Sequence, residues 1–228
     1  MSFANAGKGL VDYWLLAPIA RCDTIVHHNP LIGNELIYDT QREQAQALEY
    51  TERLNIDQRL AYDTICTPVT NAPQHSYFFI QGPAGTGKTF LYKCLCSYYR
   101  GQGKIVLCVA SSGIAALLLP GGHTAHSCFA IPLDVSEAST CNIGKNTQLA
   151  EHLRQTSLII WDEVPMQHRY CFTAVSTILN DICNVTDEGY IFGNIPILLG
   201  GDFAQIAPVV RRGNRATTVH ASLKSSEI

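Results

Sequence analysis

Four short runs made up mostly of apolar residues stand out along the second two thirds of the chain: 77–80 (YFFI), 105–110 (IVLCVA), 157–161 (SLIIW) and 195–199 (IPILL). Each is bounded by Gly, Pro or polar residues and is too short for a helix, so each predicts a buried β-strand. Between them the apolar residues recur at helical spacing. FLYKCLCSYY predicts a helix running to about Arg100, where Gly101-Gln102-Gly103 breaks it. Further helices are predicted over 111–119, stopped by Pro120-Gly121-Gly122, over 148–155, and over 166–183. Ahead of the first strand, Asn55 suits the N-cap of a helix carrying Leu60, Ala61, Ile65 and Val69 and ending near Pro68 and Pro73. Strands apolar throughout, alternating with helices, predict an α/β fold with a parallel sheet covered on both faces.

Residues 1–50 show no sustained period, although 13–16 fits one helical turn. The stretch 39–53 (DTQREQAQALEYTER) is rich in helix formers and charge and reads as an exposed helix. The expected organisation is therefore an extension or linker over 1–53, followed by one α/β domain over 54–228. His27-His28 reads as a solvated pair, since no third ligand lies near in sequence.

Composition narrows the picture. An apolar fraction of 46% supplies a real core, and 15% charged residues is low for a freestanding surface, a hint that some of it meets another domain. The net charge of −3 is uneven: residues 1–77 hold five Lys/Arg and nine Asp/Glu, and residues 78–228 hold eleven and ten. A strongly basic nucleic-acid footprint is missing, which argues against tight duplex binding but leaves a narrow single-strand groove open. The nine cysteines form no C-x-x-C pair and no zinc spacing with His, so they read as buried free thiols of a reducing, intracellular compartment. The apolar patch 10–20 is interrupted by Asp12 and Pro18 and is too short to span a bilayer, so no membrane partner is expected; Lys8 and Arg21 lend a mitochondrial presequence weak support.

Candidate chemistry concentrates after the first strand, in Gly82-Pro83-Ala84-Gly85-Thr86-Gly87-Lys88-Thr89. This is G-x-x-x-x-G-K-[ST] in a strand–loop–helix setting, the pattern of a phosphate-binding loop. Gly82, Gly85 and Gly87 are expected to adopt backbone angles closed to other residues, so that successive amides curl around a phosphate at the head of the helix. Lys88 then reaches the β- and γ-phosphates, and the Thr89 hydroxyl joins the coordination of Mg²⁺. The pattern predicts binding of a nucleoside triphosphate.

The third apolar run ends in Asp162-Glu163, at the strand edge where open α/β sheets bind ligands. An Asp there holds Mg²⁺ and the neighbouring Glu orients and deprotonates an attacking water. The fourth run leads into Gly200-Gly201-Asp202-Phe203-Ala204-Gln205. The two glycines are expected to let the chain pass close to the nucleotide, and Gln205 to sense the γ-phosphate or its water. Asp202 either sits behind the metal ligands or caps the next turn, and the cap is the favoured reading.

Taken together, GPAGTGKT, SSGIAALLLPGGHTAHSCFAIP, LIIWDEVPM and FGNIPILLGGDFAQIAPVV resemble, in order and spacing, the motifs of Pif-family superfamily-one DNA helicases, especially those of Helitron transposons. The resemblance covers about 54–226. It implies a P-loop NTPase with a RecA-like sheet, ATP as substrate with Mg²⁺, 5′ to 3′ movement on single-stranded DNA, and a place in DNA repair, recombination and telomere maintenance. It implies a nuclear location, with the mitochondrion as alternative. Gln58 matches the glutamine that recognises adenine; Lys88, Thr89, Asp162, Glu163 and Gln205 match the catalytic, metal and phosphate-sensing positions. Thr124, His126 and Ser127 match the motif along the single-strand path; His126 reads equally as a structural histidine, and Phe129 as a base-stacking or a core residue.

Such helicases close two RecA-like domains over ATP, and arginines of the second stabilise the transferred phosphate. The motifs of that second domain have no match here, so the chain reads as a truncated copy. Arg211, Arg212 and Arg215 read as a solvated turn or as contacts to DNA or nucleotide. Two function classes follow: an ATP-dependent helicase motor, or an ATP- and single-strand-binding module without turnover of its own.

Overall fold

The computed structural model describes residues 28–74, 76–187, 189–205, 207–210 and 213–226. The apolar patch 10–20, the helical turn at 13–16, His27, Arg211 and Arg212 lie outside these residues. Five parallel strands, β1 (Tyr77–Gln81), β2 (Ile105–Ala110), β3 (His123–Thr124), β4 (Thr156–Asp162) and β5 (Ile197–Gly201), form one sheet in the order β1-β5-β4-β2-β3.

Alternation along the strands splits the core in two. Val106, Cys108, Leu158, Ile160 and Leu198 face α3 (Ile56–Asn71) and α4 (Lys88–Arg100), against Tyr62, Ile65, Leu91, Leu95 and Tyr99. Leu107, Val109, Ile159, Trp161 and Ile197 face the other way, against Phe129, Leu153, Phe172, Val175 and Leu179 of α6 (Ala125–Cys128) and its C-cap, α7 (Gln148–Arg154) and α8 (Arg169–Cys183). Helices on both faces of a parallel sheet are the expected architecture, and all four expected strands are present.

The helix from Asn55 runs through Pro68 and ends at Asn71, between the two prolines where its end was expected: Pro68 removes one ladder bond in the last turn, while burial of Val69 holds that turn to the core. Other boundaries differ from expectation for identifiable reasons. Pro196 has no N–H, so the last strand starts at Ile197, whose amide bonds Ser76 O at 3.0 Å, rather than at Ile195. The long helix expected from Met166 starts at Arg169, because Val164–Met166 form a 3-10 turn and the His168 ring nitrogen caps the Tyr170 amide at 3.2 Å. The helix expected over 111–119 is α5 (Gly113–Leu118), capped by Ser112.

Three helices and a strand carry too weak a period to be foreseen. β3 is two residues long, α6 four and α9 (Arg215–Ala221) seven; α1 (Pro30–Glu35) occupies six residues of the aperiodic stretch. The expected helix over 39–53 is α2 (Thr40–Glu52), capped by Asp39, with Ala47 buried. Arg215 is exposed at the start of α9. Among the described residues all eight cysteines are free, and no helix is long and apolar enough to cross a membrane.

Candidate functional site

The strand register brings the motifs to one edge. Ala110 lies opposite both Asp162 on β4 and Thr124 on β3, while Gly200 lies opposite Ile80 just before the phosphate loop. Neighbouring strands stand about 4.8 Å apart, so these positions span the carboxyl edge of the sheet in one row. The loop itself is tied to that edge by Gly82 N–H donating to Gly201 O at 3.3 Å.

Gly87 is the left-handed residue at the head of α4, with φ 87°, and no side chain caps the helix there. Gly85 is left-handed too, with φ 81°. Gly82 is not, contrary to expectation; it is required because a Cβ would sit 2.9 Å from the Thr86 hydroxyl. An uncapped helix head under a left-handed glycine leaves the dipole and first amides aimed at an anion. Pro83 and Ala84 carry the loop outward to Thr86, whose hydroxyl donates to Pro83 O at 2.9 Å. Lys88 folds back over this loop, its ammonium donating to Gly82 O at 2.5 Å and Pro83 O at 3.1 Å. Thr89 follows in the first turn of α4.

Gln58 is drawn to the loop by its own helix cap. Its backbone N–H bonds the Asn55 side chain at 2.8 Å and its Oε1 accepts from Asn55 N at 3.1 Å, a reciprocal capping box. That arrangement turns Nε2 toward Thr86 O at 3.1 Å, so Gln58 abuts the loop it was expected to serve.

Asp162 ends β4 on the α4 side of the sheet and is buried. One oxygen accepts from the Tyr92 hydroxyl at 3.3 Å. Burial, and then the Asp162 charge, push the Tyr92 pKa up, so the phenol stays a protonated donor. Tyr92 is a site residue that the apolar pattern hid, although its place one turn after Lys88 on the same helix face was a readable signal. Gly200 exists for this contact, since a Cβ there would lie 1.8 Å from the Tyr92 hydroxyl. Gly201 makes room for the Pro165 ring, 2.3 Å from where its Cβ would be. Both glycines thus pass close to protein groups, a demand the sequence reading did not foresee.

Glu163 follows in a left-handed conformation, φ 55°, rare for a residue with a side chain. The kink turns its carboxylate out of the strand while Val164 behind it is buried. Burial raises its pKa first; Asp162 and Asp202 raise it further, and Lys88 opposes them. Lys88, Asp162, Glu163 and Asp202 therefore share one electrostatic neighbourhood. Asp202 is a cap: its oxygens accept from Ala204 N–H at 2.9 Å and from the Gln205 amide at 3.0 Å. Gln205 is thereby held beside the carboxylates, and its exposed side chain is within the turn that follows β5.

At the β3 end of the same edge, Thr124 caps α6, its hydroxyl accepting from Ser127 N–H at 3.3 Å. Ser127 is exposed and His126 half-buried, with burial lowering the His126 pKa. Phe129 is fully buried, 5.5 Å from the Trp161 ring, and belongs to the core rather than to a stacking surface.

The oxygen donors Thr89 and Asp162 suit a hard cation. Among the described residues no group of three or more His, Cys, Asp or Glu could hold a metal ion.

The PIF1-like helicase family model matches residues 53–228. The ATP-dependent DNA helicase Pif1 of a Psychrobacter species is 32% identical over 137 residues, covering 59% of this chain and 20% of that protein. The Pif1 helicase of Campylobacter jejuni is 30% identical over 173 residues, covering 73% and 34%. The crystal structure of a Bacteroides Pif1 helicase in complex with ADP-AlF3 and ssDNA superposes with a TM-score of 0.57 at 26% identity, over 72% of this chain and 35% of that one. The chain spans about a fifth to a third of the length of the curated relatives it matches.

Proposed function

The chain belongs to the PIF1-like helicase family, and from that premise we propose that it is the first RecA-like motor domain of an ATP-dependent DNA helicase, hydrolysing ATP and gripping single-stranded DNA along the edge that carries Thr124. The observation that supports this most is the shared neighbourhood of Lys88, Asp162, Glu163 and Asp202 at the end of the phosphate-loop strand and its neighbours.

In this reading the amides at the head of α4 and the Lys88 ammonium hold the β- and γ-phosphates, which requires Lys88 to leave the Gly82 and Pro83 carbonyls. Gln58 reads adenine from the side of the loop. Thr89 and Asp162 would hold Mg²⁺, which would supply charge neutralisation on the phosphates. Glu163 takes a proton from the attacking water, its basicity raised by burial and by the neighbouring acids. Gln205, braced by Asp202, orients that water or the γ-phosphate. Thr124, His126 and Ser127 contact DNA phosphates without reading sequence. A second RecA-like domain closes over the nucleotide in the complete motor and brings the arginines that stabilise the transferred phosphate.

Steady-state hydrolysis of Mg-ATP by the chain, with and without an oligo-dT strand, tests the proposal. Turnover stimulated by the strand is the expected result. Binding of both ligands without turnover assigns a binding module, and hydrolysis indifferent to DNA removes the helicase reading.

A further inference from the structure

Resting on that reading, we infer that α1 and α2 are a clasp belonging to the motor domain, and that Arg100 is the positioning residue through which they fix the DNA-facing segment. The family match begins only at residue 53, and nothing in it assigns a role to the residues before.

The clasp is anchored at both ends. Asn29 is buried, and its amide donates to Gln148 O at 2.7 Å and to Glu151 at 2.9 Å on α7. Along α2, Gln44 donates to Gly101 O at 2.7 Å, Thr51 lies 3.4 Å from Cys94 Sγ, and Tyr50 packs edge-on to Phe90, two residues after Lys88. The segment thus follows α4 from the phosphate-loop end to its last residue.

That last residue is Arg100, 3% exposed. A guanidinium so buried is costly unless its donors and charge are met, and here they are met in part, since neither Arg100 Nε nor Glu35 Oε2 has a hydrogen-bond partner. One Nη donates to Val106 O at 3.2 Å and to Pro120 O at 3.1 Å. Glu35 approaches to 3.8 Å, and the Tyr38 ring lies 4.1 Å from the guanidinium carbon. Both partners come from the clasp. Gly121 closes the fit: with φ 63°, it would bring a Cβ within 2.8 Å of the Tyr38 hydroxyl and 3.2 Å of Arg100.

Pro120 and Gly121 lead directly into β3 and Thr124. One rigid helix of 13 residues therefore carries Lys88 at its head and grips the approach to Thr124 at its tail. Glu35 and Tyr38 keep water from Arg100 and so keep it on Pro120. Without them the guanidinium turns to solvent and the segment 119–128 is released.

The test is amide hydrogen exchange on the full chain, with oligo-dT binding and a fluorescent ATP analogue as second readouts. Arg100→Lys keeps the charge and loses the planar fork. It is expected to speed exchange over 119–128 about tenfold and weaken oligo-dT binding about fivefold to tenfold, with analogue affinity unchanged. Tyr38→Phe, which keeps the ring, is expected to match the wild type. Unchanged exchange over 119–128 overturns the inference, as does an equal loss of analogue and DNA binding. Should Arg100→Lys not fold, Tyr38→Leu is read by the same criteria. If the wild type fails to bind oligo-dT, the helicase reading falls, and exchange over 119–128 still decides the clasp.

Discussion

The Tyr92 hydroxyl lies 3.3 Å from an Asp162 carboxylate oxygen, joining the helix that begins with Lys88 to the strand that ends beside Glu163. This contact fixes how far the proposed phosphate-binding lysine stands from the proposed metal-binding acid. It also explains Gly200, because any side chain there would occupy the place of the hydroxyl.

Gly200→Ala is expected to lower stability by about 1–3 kcal/mol through overpacking against Tyr92. Adding Tyr92→Phe removes the oxygen that would lie 1.8 Å from the new Cβ, so the double variant should recover part of the loss. Urea midpoints of the two single variants and the double variant check this; strictly additive losses would remove the steric account.

Lys88→Ala is expected to weaken binding of an ATP analogue about a hundredfold or more, since a charge-assisted contact to the phosphates disappears. Its present bonds run only to loop carbonyls, so the folded state should melt close to the wild-type temperature. Wild-type affinity in a titration would refute the phosphate-loop assignment.

Glu163→Gln is expected to keep nucleotide and lose hydrolysis. The fold raises the Glu163 pKa, so its contribution to stability is complete below the ordinary carboxylate range and is lost as pH rises through the folded value. At pH 7 the glutamine variant should therefore be at least as stable as the wild type, with the difference shrinking in acid. Melting curves at both pH values decide, and a variant equally destabilised at both would contradict the electrostatic account.

The same shift places the acid limb of kcat/KM above the ordinary glutamate pKa. Asp202→Asn removes one of the charges that raise it and should move the limb to lower pH. A limb that stays in place would separate Asp202 from Glu163.

Gly87→Ala should be more damaging than Gly85→Ala. Both require a left-handed backbone, at about 1–2 kcal/mol for a non-glycine residue, but only at Gly87 would the new Cβ meet Gln58 Nε2, at 2.3 Å. Analogue titrations and thermal melts of the two variants make the comparison.

The strands were legible because each is buried on both faces and so must be apolar throughout. The phosphate loop was legible because its glycines, lysine and threonine are consecutive, and the requirement that fixes them is local. Asp162 and Glu163 followed from the same logic, as acids at the carboxyl end of an apolar run. Boundaries were misjudged where a local turn replaced the expected period, as when the 3-10 turn over Val164–Met166 delayed the long helix to Arg169.

What the sequence by itself determined, then, is the set of groups and the order of strands and helices that carries them, since these rest on period and on contiguous residues. Only the tertiary structure decided that Thr124 stands level with Asp162 two strands away, that Tyr92 meets Asp162, and that α2 packs along α4 while the residue capping α1 is tied to α7. Sheet order and side-chain meetings such as Arg100 with Glu35 join residues far apart in the chain, and no local pattern encodes which distant partner a buried charge will find.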